Sequence, residues 1–439
     1  MDWSLTLTVI VGGLLLLMML GMPIAFTFLL VTSIGVLLLQ GGGDAFQQVV
    51  IGMISSVTSF ALVPIPLFIF MGSILWHTNL GRQAVDALDK LLGRLPGRLA
   101  LLTMASGGVF SALSGSTMAN TAMLGKMLMP EMLERRYARE LSMGPIMAAG
   151  GLAMMIPPSA LAVVLASIAK LSIAKVLIAA IIPGVLMAVG YTAYIVGRCM
   201  LDPKAAPQYE TTLATWREAG AALLRDLLPL GIIILAVTGL IVWGVATPTE
   251  AAATGALSSL FLAAIYRRLT FRLLKDALYD SLRITVMTFA VLATASGFSQ
   301  ILAYSGASTG LLGAVFSLEV SPVVVVIAMM LLVLVMGCFM DQVAIMLITL
   351  PVFMPIINSL GYDPIWFAIL MLVNLETALM TPPLGLLLVV MKGVAPPGTT
   401  FNEIFRAAMP FVVVNILIIG LLIAFPGIVT ATVSRAVSN

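Results

Sequence analysis

Histidine, cysteine and charge are nearly missing from this sequence. Its 439 residues hold one histidine, His77, which removes most histidine-based catalytic and metal schemes. The two cysteines, Cys199 and Cys338, lie far apart in apolar surroundings and suggest neither a disulfide framework nor a metal site. Charged residues make up 9% of the chain against 61% apolar, and the mean hydropathy is +1.14. That balance excludes a soluble globule and describes a polytopic protein embedded in a lipid bilayer. No polar stretch is long enough for a separate soluble domain. A net charge of +3 reads by position as topology, with no nucleic-acid partner. Met1-Asp2-Trp3 lacks the basic segment of a signal peptide, so the apolar run behind it is expected to remain as a helix.

What is present is a duplication. Met155-Ile156-Pro157-Pro158-Ser159 interrupts an apolar segment in the first half, and Met380-Thr381-Pro382-Pro383-Leu384 interrupts another 225 residues later. The same shift carries Pro23 onto Pro248, Pro130 onto Pro355, Gly72 onto Gly297 and Gly81 onto Gly306. Four of the nine prolines before Pro203 land on a proline, where chance would give roughly half a match. Matched proline-interrupted apolar segments in two halves point to the binding site of a transporter.

Runs of about 17–25 apolar residues are candidate spans. In the first half they fall near 3–20, 22–40, 60–77, 141–170 (interrupted) and 172–198. Their counterparts lie near 228–246, 248–266, 285–303, 363–395 and 403–430. Residues 44–58 and 268–283 read as helices too short or too polar to span, lying at the interface. The fold expected is an all-α polytopic membrane protein of two inverted repeats, 1–201 and 228–439, joined by an amphipathic linker at 202–227. About ten transmembrane helices and two re-entrant hairpins make it up. The hairpins are expected at about 99–131 and 323–356, and the broken helices at about 141–170 and 363–395.

Basic residues orient it. Arg82, Lys90, Arg94 and Arg98 form one cluster, and Arg135, Arg136 and Arg139 the next. Arg198 and Lys204 follow, then Arg267, Arg268, Arg272 and Lys275. All are expected in the cytoplasm, so the run between Arg98 and Arg135 must enter and leave from that side. No Lys or Arg occurs between Arg283 and Lys392, and Glu319 and Asp363 border the second hairpin, which should open outward. Both termini are then periplasmic. Lys170 and Lys175 run against this scheme.

Irregular backbone at membrane depth survives only where protein or a water-filled cavity covers it. Freed carbonyls with Ser and Thr hydroxyls suit a hard cation such as Na⁺, and half-helix N-termini suit a carboxylate. Asp341 and Glu376 are acids inside apolar segments, where charge is costly. Asp341, opposite Ser116 under the shift, reads as a cation ligand or a group for proton-linked coupling, or else as a cap holding its hairpin through backbone N–H groups. Glu376 reads as a structural partner. Asn120 and Asn374 are either helix-bridging amides or polar groups of the site. His77 has no acidic neighbour in sequence and reads as an interfacial residue. The 29 methionines read as lipid-facing or sliding surfaces. Ser114-Gly115-Ser116 has no base that could make it an intramembrane nucleophile.

Several of these segments, in this order and spacing, resemble the large membrane subunit of tripartite ATP-independent periplasmic (TRAP) transporters over essentially the whole chain. They are Ser114-Gly115-Ser116-Thr117, Met129-Pro130-Glu131-Met132 and the run from Ala149 to Ser159. In the second half they are the run from Met340 to Ile345, Asn374-Leu375-Glu376 and Thr381-Pro382-Pro383-Leu384-Gly385. The resemblance implies an elevator mechanism driven by a Na⁺ gradient in the bacterial inner membrane. It also implies a small four-helix membrane subunit and a periplasmic substrate-binding protein as partners, and an organic acid as substrate. One Na⁺ site would involve Ser114, Gly115, Ser116 and the loop from Gly151 through Ile156 to Pro157. The other would involve Met340, Asp341, Thr377 and Thr381. Substrate would sit between the hairpin tips, near Thr117, Asn120, Pro158, Ser159, Gln342 and Pro383. Two departures stand out: many members carry proline where Gln342 stands and asparagine where Leu387 stands, and if that asparagine contacts substrate in relatives the substrate class does not carry over. The function expected is a Na⁺-coupled permease subunit and not an enzyme. The alternative is a stand-alone Na⁺/dicarboxylate carrier of the related elevator type.

Overall fold

In this computed structural model, residues 3–40, 43–78, 80–92, 95–207, 215–307, 310, 313–314, 317, 320–338, 340–382 and 385–431 are described. Met1, Asp2, Arg94, Glu319, Pro383, Leu384 and the side chain of Ser114, all singled out above, lie outside the described residues. Among the described residues all regular structure is helical.

The first half runs α1 (Trp3–Met19), α2 (Ile24–Gln40), α3 (Asp44–Val57), α4 (Pro64–His77), α5 (Leu80–Leu91), α6 (Arg98–Ser114), α7 (Thr117–Glu134), α8 (Arg139–Gly151), α9 (Ala160–Ile168) and α10 (Ile173–Leu201). After the connection come α11 (Trp216–Ala222), α12 (Leu228–Val242), α13 (Pro248–Ile265), α14 (Phe271–Tyr304), α15 (Pro322–Gly337), α16 (Gln342–Ser359), α17 (Pro364–Leu379), α18 (Leu386–Val394) and α19 (Phe401–Ala424). Among the described residues six helical stretches are long and apolar enough to cross a membrane: Phe60–His77, Ile173–Leu201, Arg217–Val242, Phe271–Tyr304, Gln342–Ser359 and Phe401–Ala424. Four shorter apolar helices accompany them.

Two boundaries differ from the sequence reading. The interfacial segment at 268–283 and the span at 285–303 are one uninterrupted helix, α14, of 34 residues. Its counterpart in the first half is cut into α3 and α4 by Pro64 and Pro66, and no proline stands in α14 to repeat that cut. The linker likewise does not stop at residue 227. Leu223–Leu227 form a π-type turn that carries α11 directly into α12. Pro229, which has no N–H to give, sits at the start of α12 just beyond the widened turn.

Helix packing runs in swapped pairs. The helix α4 packs on α13, and α2 on α14. Likewise α8 packs on α19 and α17 on α10, while α9 packs on α16 and α18 on α7. At the centre lies α17, buried without exception from Trp366 to Leu379, its polar residues Asn374, Glu376 and Thr377 included.

Contacts also collect the basic segments on one face. Arg98 pairs with Asp89 at 2.9 Å, and the Leu99 amide donates to the Tyr137 hydroxyl at 3.4 Å. The Ala138 amide donates to the Ala205 carbonyl at 2.8 Å, and Arg139 pairs with Glu403 at 2.9 Å. Arg268 donates to the Thr78 carbonyl at 2.5 Å, and the Tyr266 hydroxyl to the Arg225 carbonyl. His77, solitary in sequence, meets Asp280 of α14 at 2.9 Å on the same face. Lys175 is about 35 Å from Arg198 along α10, so it stands at the opposite end of the molecule.

Candidate functional site

Each half builds an interruption from the same local chemistry. The helix α6 ends at Gly115, which adopts the left-handed backbone (φ 59°) that favours glycine. Ser116 then turns extended and caps α7, its Oγ accepting from the Ala119 amide at 3.4 Å. At the corresponding place in the second half, Asp341 caps α16, its Oδ1 accepting from the Ala344 amide at 2.7 Å. The helix α8 unwinds through a 3₁₀ turn at Leu152–Met154 into Met155, Ile156 and a cis Pro157–Pro158 peptide. Ser159 then caps α9 through the Ala162 amide at 3.3 Å. The helix α17 ends at Leu379 and α18 begins after Gly385.

The segments that carry the first-half cation candidates pack on one another. Gly115 rests on Ala160 at the start of α9, and Gly108 faces Ile156. Ser111 Oγ donates to the Ala149 carbonyl at 3.2 Å, and a side chain at Gly107 would overlap Ala149. Asn120 Nδ2 reaches the Gly107 carbonyl (3.3 Å), Ser111 Oγ (3.0 Å) and the Ala149 carbonyl (3.4 Å), tying α7 to α6 and α8. Asn120 is therefore at least a bridging amide. In the second half the end of α15 packs against the end of α17 beside the candidates. Cys338 Sγ lies 2.9 Å from the Pro382 carbonyl, Gly337 abuts Ala378, and Asn374 Nδ2 donates to the Met330 carbonyl at 2.7 Å.

Thr377 and Thr381 hydroxyls donate to the carbonyls four residues back, Val373 and Thr377, at 2.8 and 2.7 Å. With its proton so placed, each hydroxyl keeps lone pairs free to face a cation. Thr377, Thr381 and Asp341 each offer oxygen donors, the chemistry that suits a hard cation.

The halves then meet. Thr117 Oγ1, at the first residue of α7, donates to Glu376 Oε2 of α17 at 3.4 Å, and Glu376 is fully buried. The Glu376 carboxylate lies directly on Gly151, where any side chain would overlap it. Gln342 Nε2, at the first residue of α16, approaches Met154 Sδ at 3.0 Å. Each hairpin tip thus touches the broken helix of the other half. Thr238 of α12 donates to the Pro157 carbonyl at 3.3 Å.

Among the described residues the substrate candidates Thr117, Asn120, Pro158, Ser159 and Gln342 are buried against protein, and Pro383 lies outside the described residues. Of the site residues, Met340 and Asp341 line a cavity of about 440 Å³ between the Gly21–Phe26 turn and α14 at Met287–Val291. Thr238 carries no signal in the sequence, and Glu376, read there as a structural partner, is bonded to Thr117 and packed on Gly151. The signal for Glu376 was present, because it stands 225 residues after Gly151.

Residues 11–428 match the family model described as "Tripartite ATP-independent periplasmic transporter, DctM component". The chain is 31% identical to a putative TRAP transporter large permease protein of Haemophilus influenzae, over 87% of this chain and 94% of that one. It is 32% identical to the C4-dicarboxylate TRAP transporter large permease protein of Pseudomonas aeruginosa, over 88% and 89%. It is 30% identical to the isethionate TRAP transporter permease protein DctMQ of Oleidesulfovibrio alaskensis, over 94% of this chain but 64% of that longer one. Among solved structures, the Alcanivorax borkumensis YdaH transporter shares the fold, with a TM-score of 0.66 at 14% identity over 94% of this chain and 98% of that one.

Proposed function

The chain belongs to the DctM-component family of tripartite ATP-independent periplasmic transporters, and from that premise we propose that it imports a small carboxylate with Na⁺. It is a large permease subunit of a membrane transporter, not an enzyme. In the proposal a periplasmic binding protein delivers the substrate and a small membrane subunit completes the scaffold. Two relatives, named for a C4-dicarboxylate and for isethionate, support an organic anion, while others named for ectoine keep the choice of substrate open.

The observation that carries the reading is the convergence of both hairpin tips and both helix breaks. Thr117 meets Glu376 and Gln342 meets Met154. One Na⁺, as co-substrate, would be held by Gly115, Ser116 and the Gly151–Pro157 loop, and another by Asp341, Thr377 and Thr381. The hairpins α6–α7 and α15–α16 with the broken helices α8–α9 and α17–α18 would form the moving body. The swapped helix pairs support a two-fold relation between the halves, since each contact of one half recurs with the roles exchanged. Placing the basic face in the cytoplasm points the cavity at Asp341 towards that side.

The test is reconstitution with both partners in proteoliposomes. Uptake is expected only with the binding protein present and an inward Na⁺ gradient imposed. Uptake by this chain alone would transfer it to the stand-alone carriers. Unsaturable flux would make it a channel.

A further inference from the structure

We propose that Glu376 is the positioning residue that couples the two halves of the site. It holds the first turn of α7 and the end of α8 against α17, so that a cation in one break changes the affinity of the other. The inference rests on the Na⁺-coupled reading above.

Place is the first argument. Gly151 and Glu376 correspond under the 225-residue shift, and they touch. In two-fold related units, corresponding residues meet only at the axis. A side chain there addresses both halves at once, and only one of the two positions can carry it. Glycine in the first half leaves the space that the carboxylate of the second half fills.

Reach is the second. Thr117, the donor to Glu376 Oε2, follows the cap Ser116, and Gly151 opens the first break. Thr377, a second-half cation candidate, is the next residue along α17. A shift of α7 or α8 on cation binding is therefore transmitted to the end of α17 through one carboxyl group.

Cost is the third. Among the described residues no ion pair includes Glu376, and its Oε1 has no hydrogen-bond donor. The nearby Tyr191 of α10 gives its hydroxyl to Asn415 at 2.5 Å. A buried acid so poorly compensated is a weak way to hold a core together, and an apolar residue of like volume would pack it better. Its use lies in the link to Thr117.

The experiment measures uptake against Na⁺ concentration in the reconstituted three-component transporter. The parent protein should respond sigmoidally. Glu376→Leu and Thr117→Val should each give a hyperbolic response, with about fivefold or more Na⁺ needed for half-maximal rate. Glu376→Gln keeps an acceptor for Thr117 and should stay sigmoidal. A merely structural role would lower the maximal rate and leave the shape of the curve alone, which overturns the proposal. So would a hyperbolic parent, or a Glu376→Gln variant as defective as Glu376→Leu. If Glu376→Leu does not fold, Thr117→Val carries the test at nearly constant volume. A parent indifferent to Na⁺ would instead remove the Na⁺-coupled reading itself, and this coupling with it.

Discussion

The two interruptions share a backbone plan and differ in charge. In the first half the corresponding pair is Ser116 and Gly151; in the second it is Asp341 and Glu376. Ser116 and Asp341 do the same local work, each capping the helix that follows through the amide three residues on. The amide ties are exchanged: Asn120 of the first hairpin holds the Ala149 carbonyl of the broken helix. Asn374, which corresponds to Ala149, holds the Met330 carbonyl of the second hairpin. Duplicated halves that meet face to face cannot both fill the same space. One half supplies the vacancy and the other the carboxyl group that fills it.

The sharpest way to break this comparison is to fill the vacancy. Gly151→Val should lower uptake by about 100-fold, because the new side chain overlaps the Glu376 carboxylate. Adding Glu376→Ala should recover part of that uptake. Normal uptake by Gly151→Val alone would show that the contact is unimportant. Next come the two caps. Asp341→Ala should raise the Na⁺ needed for half-maximal uptake by about tenfold and Ser116→Ala by about threefold, while each loses a cap worth about 1 kcal/mol. Equal shifts would erase the charge difference between the halves, and no shift in either would remove both residues from the cation sites. The smallest effect on transport is expected from the amide ties. Asn120→Leu and Asn374→Leu should each cost about 1–3 kcal/mol in thermal unfolding through stranded buried carbonyls. Their Na⁺ dependence should stay unchanged.

Much of the helix order was legible because its signals are local. Prolines 157 and 158, and Pro382, stand at the breaks, whereas Pro130, Pro183, Pro355 and Pro410 are carried inside continuous helices. Gly115 and Ser116 announce a turn and a cap, and α6 and α7 meet at them. The long α14 was misread because its polar first turns looked interfacial. Polarity says which side of a helix is wet, not where the helix ends, and only a breaker ends it. His77 was judged by its sequence neighbours, whereas its partner Asp280 is 203 residues away.

By itself the sequence determined the membrane class and where the helices break, since hydropathy and the constraints of proline and glycine act over a few residues. Only the tertiary structure decided which break each hairpin tip touches, that Thr238 reaches the Pro157 carbonyl, and that Gly151 makes room for Glu376. Those contacts join segments 81 to 259 residues apart. They depend on how whole helices pack, which no local pattern encodes.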